Sequence, residues 1–148
     1  MSLAIDIADA VAAAINVAPA GTFSEEVAAV RKILPTAKLE TLTELTVTVV
    51  PKSMEITGAT RAGSQYDIAV DIGIQKKLSG AEDIDPEVAI LASLVDEIAD
   101  YLRQQPLASA PHAQWVATMN EPIYAPEHLA ELRVFTSVLT LTYRAMKA

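Results

Sequence analysis

Two aspartates on one predicted strand are the first residues whose spacing could support chemistry. Asp67 and Asp71 lie four residues apart in YDIAVDIGIQKKL (66–78), and paired carboxylates can serve as general acid and base. In a strand, four residues span about 13 Å, whereas glycosidase carboxylates stand roughly 5–9.5 Å apart. The apolar residues between them supply a buried face, so we interpret the aspartates as the solvent-facing side of that strand.

A histidine and a glutamate form the second candidate pattern. His128 and Glu131 are three residues apart and would share one face of a helix, where both could bind a metal ion. No cysteine or second histidine lies close to them, because His112 belongs to a separate Pro/Ala-rich segment. We interpret the pair as part of a solvated helix face.

The compact motifs of nucleophile and nucleotide chemistry are missing from the sequence. The chain has no cysteine, and it contains no G-x-S-x-G elbow, P-loop or G-x-G-x-x-G, the patterns that position a nucleophile or cradle phosphates. A Ser–His–Asp triad assembled from distant segments stays open. We expect a protein that is not an enzyme and that binds neither a cofactor nor a metal.

Hydrophobic periodicity defines the elements that position these residues. Residues 3–18 predict an amphipathic helix with Ser2 as its N-cap, and residues 85–103 predict a second helix with Asp85 as its cap. Alternation of apolar and polar residues predicts four strands, and Pro51 would mark a bulge or an edge in the first of them. These strands cover residues 45–57, 66–78, 114–121 and 134–146.

The connecting segments differ in how clearly they can be interpreted. Residues 57–65 predict the tip of a long β-hairpin, and residues 122–132 predict a turn and a short helix that begins at Pro126. Residues 38–44 suit one or two helical turns. Residues 22–35 fit both a helix with capping-box spacing at its start and an edge strand with alternate apolar residues.

Together these elements predict one domain that covers residues 1–148. The strands cluster in the middle and at the end of the chain, and the hairpin loops are too short for βαβ crossovers. We therefore expect a two-layer α+β fold, in which a mostly antiparallel sheet with a long β-hairpin packs against two main helices.

Composition limits the classes of partner. The 148 residues carry a net charge of −8, so we do not expect a basic face that would bind nucleic acid. Hydrophobic residues make up 51% of the chain, but no run approaches the ~20 apolar residues of a membrane span. Asp6 and Asp9 interrupt the apolar N-terminal stretch, which also lacks a positive start. We expect neither a signal peptide nor a membrane partner.

The remaining signal is a capacity for contact between proteins. Threonine-rich strand faces, a polar hairpin tip and Pro/Tyr-containing segments suit edge pairing and partner contact. The candidate interface residues that we select are Arg61, Lys52, Trp115 and Tyr124. The alternative interpretation is an ordinary exposed surface.

Three stretches resemble a known family when they are taken together. They are LTVTVVPKSMEIT, YDIAVDIGIQKKL and WVATMNEPIYAPEHLAELRVFTSVLTLTYR. They resemble small structural proteins from the morphogenesis modules of long-tailed bacteriophages and prophages, namely head–tail joining, tail-completion and tail-terminator-like proteins. The likeness is strongest over residues 39–146, and the helical stretch IADAVAAAIN fits it as well. Because it is a likeness of whole-chain pattern without a catalytic motif, it assigns no functional residue individually.

The resemblance implies a virion protein of the tail or neck that forms a ring, commonly a hexamer, on the tail tube. Such a ring ends polymerisation of the tube and offers a docking surface to a neck or head-completion protein. Before assembly the protein would be in the cytoplasm of the bacterial host, and the family pattern implies that residues 23–34 are extended. The alternatives are a head-closure or adaptor protein of the same module and, from another class, a small cytoplasmic enzyme or ligand-binding domain.

DNA would pass through such a ring without being specifically bound. An acidic inner wall would repel phosphate, because like charges repel one another. Asp67 and Asp71 are our candidates for this wall, and Glu82, Asp83 and Asp85 compete equally well.

Overall fold

The computed structural model of the chain describes residues 2–33, 44–80, 82–103 and 105–147. In these residues the α-helices are α1 (Leu3–Asn16) and α2 (Asp85–Leu102), and a π-helix spans His128–Leu132. The strands are β1 (Ala29–Arg31), β2 (Thr46–Gly58), β3 (Ser64–Lys77), β4 (Gln114–Asn120) and β5 (Val134–Lys147).

The strands form a five-stranded sheet with the order β1-β2-β3-β5-β4. β1 runs parallel to β2, and every other neighbouring pair is antiparallel. β3 lies in the centre and pairs with β5 from Ser64, opposite Lys147, to Lys77, opposite Val134. The prediction of an α+β fold with a mostly antiparallel sheet and a long hairpin is therefore confirmed.

The α-helices cover one face of the sheet, which we call the helix-side face. β3 directs four fully buried aliphatic residues to this face, because alternate residues of a strand point to the same side. They are Ile68, Val70, Ile72 and Ile74. The matching buried residues of β5 are Phe135, Ser137, Leu139, Leu141, Tyr143 and Ala145. Burial of each large apolar side chain contributes about 1.5–3 kcal/mol relative to exposure.

α1 begins where the sequence predicts and approaches the sheet through small residues. The Ser2 hydroxyl accepts a hydrogen bond from the Ile5 N–H at 3.4 Å, so Ser2 is the N-cap. The helix ends at Asn16, two residues earlier than the predicted end at residue 18, because Pro19 disfavours helical backbone in the residue before it. Its buried alanines are Ala8, Ala10, Ala12 and Ala14.

The prediction that Asp85 is the N-cap of α2 is wrong by one residue. Asp85 is already the first helical residue, and Ile84 at the N-cap makes no side-chain capping bond. The Asp83 carboxylate instead accepts a hydrogen bond from the Asp85 N–H at 3.1 Å, as an aspartate two residues upstream does in a local turn. Pro86 lies in the first turn as predicted. The predicted apolar stripe from Leu91 to Leu102 is buried at Leu91, Leu94, Val95, Ile98 and Leu102.

In the described part of the ambiguous segment 22–35, which is residues 22–33, one short strand forms. β1 spans Ala29–Arg31 and pairs with β2 in parallel, which the sequence did not indicate. A helix from residue 22 does not form, because Ser24 donates both its N–H and its hydroxyl to Glu97 on α2, at 2.9 and 2.8 Å. Phe23 packs edge-on against Tyr101. Most of the segment predicted as helical turns, residues 38–43, lies outside the described residues.

The β2–β3 hairpin carries the predicted irregularity at Pro51. The pairing register shifts between Pro51 and Ser53, so Lys52 is the extra residue of a bulge. The strands continue further than predicted and leave residues 59–63 as the tip. There Gly63 accepts hydrogen bonds from the N–H groups of Ala59 and Thr60 at 3.2 and 3.1 Å.

Candidate functional site

The face of the sheet opposite the α-helices, which we call the outer face, is lined by polar and small residues. Each of them on the two central strands is half-buried by its neighbours. β3 contributes Gln65, Asp67, Ala69, Asp71, Gly73 and Gln75, and β5 contributes Thr136, Val138, Thr140, Thr142 and Arg144. Asp67 and Asp71 therefore lie on the solvent-facing side of their strand, as predicted.

The two aspartates have separate partners across the sheet. Arg144 lies opposite Asp67, and its Nε donates to Asp67 Oδ1 at 2.9 Å. Asp71 accepts a hydrogen bond from the Thr140 hydroxyl at 2.6 Å, and Lys52 Nζ lies 3.8 Å from the same carboxylate. The carboxylates do not converge on a shared site, and each faces a cation that offsets part of its charge.

The pKa of Asp67 is lowered from its ordinary value, chiefly by the hydrogen bond from the Arg144 side chain. The same contact raises the pKa of Arg144. Both shifts follow from a hydrogen bond that forms only with the charged carboxylate. The sequence did not indicate this pair, because its members are separated by 77 residues and only the β3–β5 register brings them opposite each other.

We expect Asp67→Asn to lower the free energy of unfolding at neutral pH but not in acid. A lowered folded-state pKa gives stabilisation that is complete above the unfolded-state value of about 3.9 and is lost as pH falls through the folded-state value. The effect is small because the pair is partly solvent-exposed. Urea denaturation of both forms at about pH 7, 5 and 3 measures it. Asp96→Asn, at an exposed position of α2, is the control, and equal losses in both variants would contradict the assignment.

The histidines are not brought into a common site. His128 Nδ1 lies 2.8 Å from the Thr136 hydroxyl, so the imidazole ring is within hydrogen-bonding distance of β5. Glu131 is exposed in the π-helix, and His112 is exposed in the turn that precedes β4. Within the described residues, no group of three or more His, Cys, Asp or Glu side chains is placed to hold a metal ion.

The four candidate interface residues lie towards the two sides of the sheet. Lys52 belongs to the hairpin bulge, and Arg61 lies exposed at its tip. Trp115 lies on β4, where it is half-buried and its Nε1 donates to the Thr118 hydroxyl at 2.8 Å. Tyr124 follows β4 and is 43% exposed. The structure therefore divides them into a hairpin pair and a β4 pair.

Two exposed apolar residues of the hairpin were missed by the sequence interpretation. Met54 and Ile56 point to the helix-side face, opposite Ile68 and Tyr66, yet they are 48% and 53% exposed. The lengths of the predicted elements could have indicated this exposure. The 14 helical residues of α1 extend about 21 Å, whereas the 13 residues of β2 extend about 43 Å. The half of β2 nearest the hairpin tip therefore projects beyond α1, whereas Ile68, opposite Met54 on β3, is fully buried.

Two open grooves flank the helices. One, of about 520 Å³, lies between the end of α1 and residues 18–27. The other, of about 540 Å³, lies between α2 and β4. Catalytic sites are typically lined by groups with shifted pKa values. The described residues whose pKa values are shifted, which are Asp67, Glu87, Tyr143 and Arg144, line neither groove.

Comparison with known proteins adds no assignment to this geometry. No family model matches the chain, and no curated protein matches it. Among the described residues, no helix has the length and apolar character that crossing a membrane requires.

Proposed function

We propose that the chain is a structural subunit of a bacteriophage or prophage particle and works as a tail terminator or tail-completion protein. Copies of the chain would close into a ring, a hexamer, on the tail tube, and the ring would meet a neck or head-completion protein on its other side. The protein would act through contact surfaces and without a reacting centre.

The projecting half of the β2–β3 hairpin is the observation that carries this proposal. It exposes Met54 and Ile56 at the outer side of β2, and apolar residues in such a position are typical of contact with another protein. A closed ring is built from heterologous contacts, so each subunit needs two different surfaces. Val116 and Met119 on β4, which are 37% and 60% exposed, supply a second apolar surface at the far edge of the sheet.

The charge of the chain suits a ring through which DNA passes without specific binding. A net charge of −8 opposes contact with phosphate. Asp67 and Asp71 remain our proposed wall residues, although Arg144 and Lys52 offset part of their charge. Assembly, and not an acidic wall, is therefore the part of the proposal that the geometry supports best.

Light scattering across a dilution series, with and without the tail tube protein of the same phage, tests the proposal. We expect an oligomer of defined mass in at least one of the two conditions. Ile56→Lys should shift the mass towards the monomer, because it places a charge within the proposed contact. Ile90→Lys adds the same charge at an equally exposed apolar residue of α2, 54% against 53% exposed, and should leave the mass unchanged.

Three outcomes would argue against the proposal or against part of it. A monomer in the presence of tube protein would favour the small enzyme or ligand-binding class. An oligomer that both lysine variants disrupt equally would remove the hairpin from the contact. An oligomer that binds a head component and not the tube would reassign the chain to the head-closure role.

A further inference from the structure

The sheet protects one of its edges and leaves two others open. β1 pairs with β2 only from Val47 to Val49. On the side of β1 away from β2, the Asn16 side chain accepts a hydrogen bond from the Ala29 N–H at 2.7 Å and donates one to the Ala29 carbonyl at 2.9 Å. A side-chain amide thus occupies the backbone groups that another strand would use, which is one way in which proteins block an edge.

The first open edge is the projecting half of β2. Its last seven residues, 52–58, are all exposed. Among the described residues, their strand partners lie on β3 alone, so no described residue pairs with the backbone N–H and carbonyl groups on the other side of this segment. Met54 and Ile56 point to one face of the segment, and Ser53, Glu55 and Thr57 point to the other.

The second open edge belongs to β4, which also has seven residues. In the described chain β4 pairs with β5 alone. The Glu121 N–H donates to the Val138 carbonyl on β5 at 3.1 Å. Because N–H directions alternate along a strand, Asn120 and Thr118 direct their N–H groups to the open side. This edge and the β2 edge are matched in length.

The surroundings of the two edges are complementary. The groove of about 540 Å³ beside β4 has an apolar floor that includes Ala99, Trp115 and Leu139, and a strand added to β4 would turn one apolar face towards it. The same groove carries Asp96 and Asp100 against Arg103, a charge of −1. Residues 52–58 carry Lys52 and Glu55 and are neutral, and Arg61 at the hairpin tip adds a positive charge in a chain of net charge −8.

We infer that the open edge of β4 in one copy of this chain binds residues 52–58 of the next copy as an added strand. Met54 and Ile56 of the incoming strand then lie on the helix-side face, over the groove between α2 and β4. The contact is heterologous, so repetition gives a closed ring or a filament. The inference rests on the proposed function, because it assigns the contact that would build the ring.

Disulfide trapping between two singly substituted copies tests this contact. Because the chain has no native cysteine, every cross-link joins introduced cysteines. Met119→Cys places a thiol on the outer face of β4, opposite Thr140. It is mixed in turn with variants of the hairpin. Ser53→Cys, Glu55→Cys and Thr57→Cys lie on the outer face, and Met54→Cys and Ile56→Cys lie on the helix-side face. Oxidation is carried out at a concentration, or with tube protein, at which light scattering shows the oligomer.

We expect a cross-linked dimer with one or two outer-face hairpin positions and loss of the cross-link at the helix-side positions between them. This alternation follows from the two-residue period of a strand. Met119→Cys alone should give no cross-linked dimer, and its appearance would replace the inference with β4–β4 pairing between copies. An oligomer without alternating cross-links would overturn the edge contact and leave the proposed ring intact. Absence of any oligomer would overturn both.

Discussion

Replacement of Tyr143 by alanine is expected to lower the free energy of unfolding by about 3–5 kcal/mol, the range for loss of a buried aromatic side chain. Tyr143 lies on the helix-side face of β5, is fully buried, and faces Ile68 on β3 and Trp115 on β4. A cavity there would remove contacts from both neighbouring strands at once. Urea denaturation followed by circular dichroism measures the loss.

The hydroxyl of Tyr143 supplies the control, because it makes no hydrogen bond to the described residues. Burial alone raises the pKa of this phenol. Tyr143→Phe is therefore expected to leave stability unchanged or to raise it by about 1 kcal/mol, since a buried polar group without a partner is unfavourable. Tyr101→Phe removes the same atom from a hydroxyl that donates to the Ala14 carbonyl at 3.1 Å, and should cost about 1 kcal/mol. A larger loss from Tyr143→Phe than from Tyr101→Phe would show that the Tyr143 hydroxyl is bonded.

Regular alternation allowed the sequence to predict the central strands. In β3 from Tyr66 to Ile74 every second residue is aliphatic or aromatic and the residues between them are polar or small. Residues 135–143 of β5 follow the same period except at Ser137 and Val138, so the period identifies both the strand and its buried face. The same argument predicted the positions of Asp67 and Asp71. α2 was equally clear, because an apolar stripe with helical spacing follows Pro86 directly.

The contacts between side chains on neighbouring strands could not be predicted from the sequence, because they depend on the register of the strands. Asp67 meets Arg144 and not another cation only because β3 and β5 align Ser64 with Lys147. A shift of one residue would have turned Arg144 to the other face. The sequence left β1 ambiguous between helix and strand for a related reason, since three residues are too few to show a period. They are held in place by contacts from distant segments.

Element length carried information that the periodicity did not. β2 and β3 contain 13 and 14 residues, which makes them about twice as long as the helix α1. β2 extends past α1 and exposes Met54 and Ile56, whereas β3 and β5 stay covered at the same level, where Ile68, Tyr143 and Ala145 are buried. Both the proposed function and the proposed edge contact depend on this mismatch.

Asn16→Ala is expected to destabilise the attachment of β1 and to lower the free energy of unfolding by about 2 kcal/mol. The variant leaves the N–H and the carbonyl of Ala29 without their side-chain partner, and Ala29 is only 6% exposed. An unsatisfied buried group costs about 1–3 kcal/mol, whereas alanine improves helix propensity by at most about 0.7 kcal/mol at the end of α1. Amide hydrogen exchange at Ala29, together with urea denaturation, measures the two effects.

Asn16→Asp separates the two hydrogen bonds of this amide. One carboxylate oxygen can still accept from the Ala29 N–H, but the other would face the Ala29 carbonyl oxygen, and two acceptors repel each other. We therefore expect destabilisation at neutral pH that diminishes in acid, where a protonated carboxyl can donate to the carbonyl. If Asn16→Ala left the Ala29 amide as protected as in the natural chain, Asn16 would not be the group that closes this edge. Another group would then close this edge of β1.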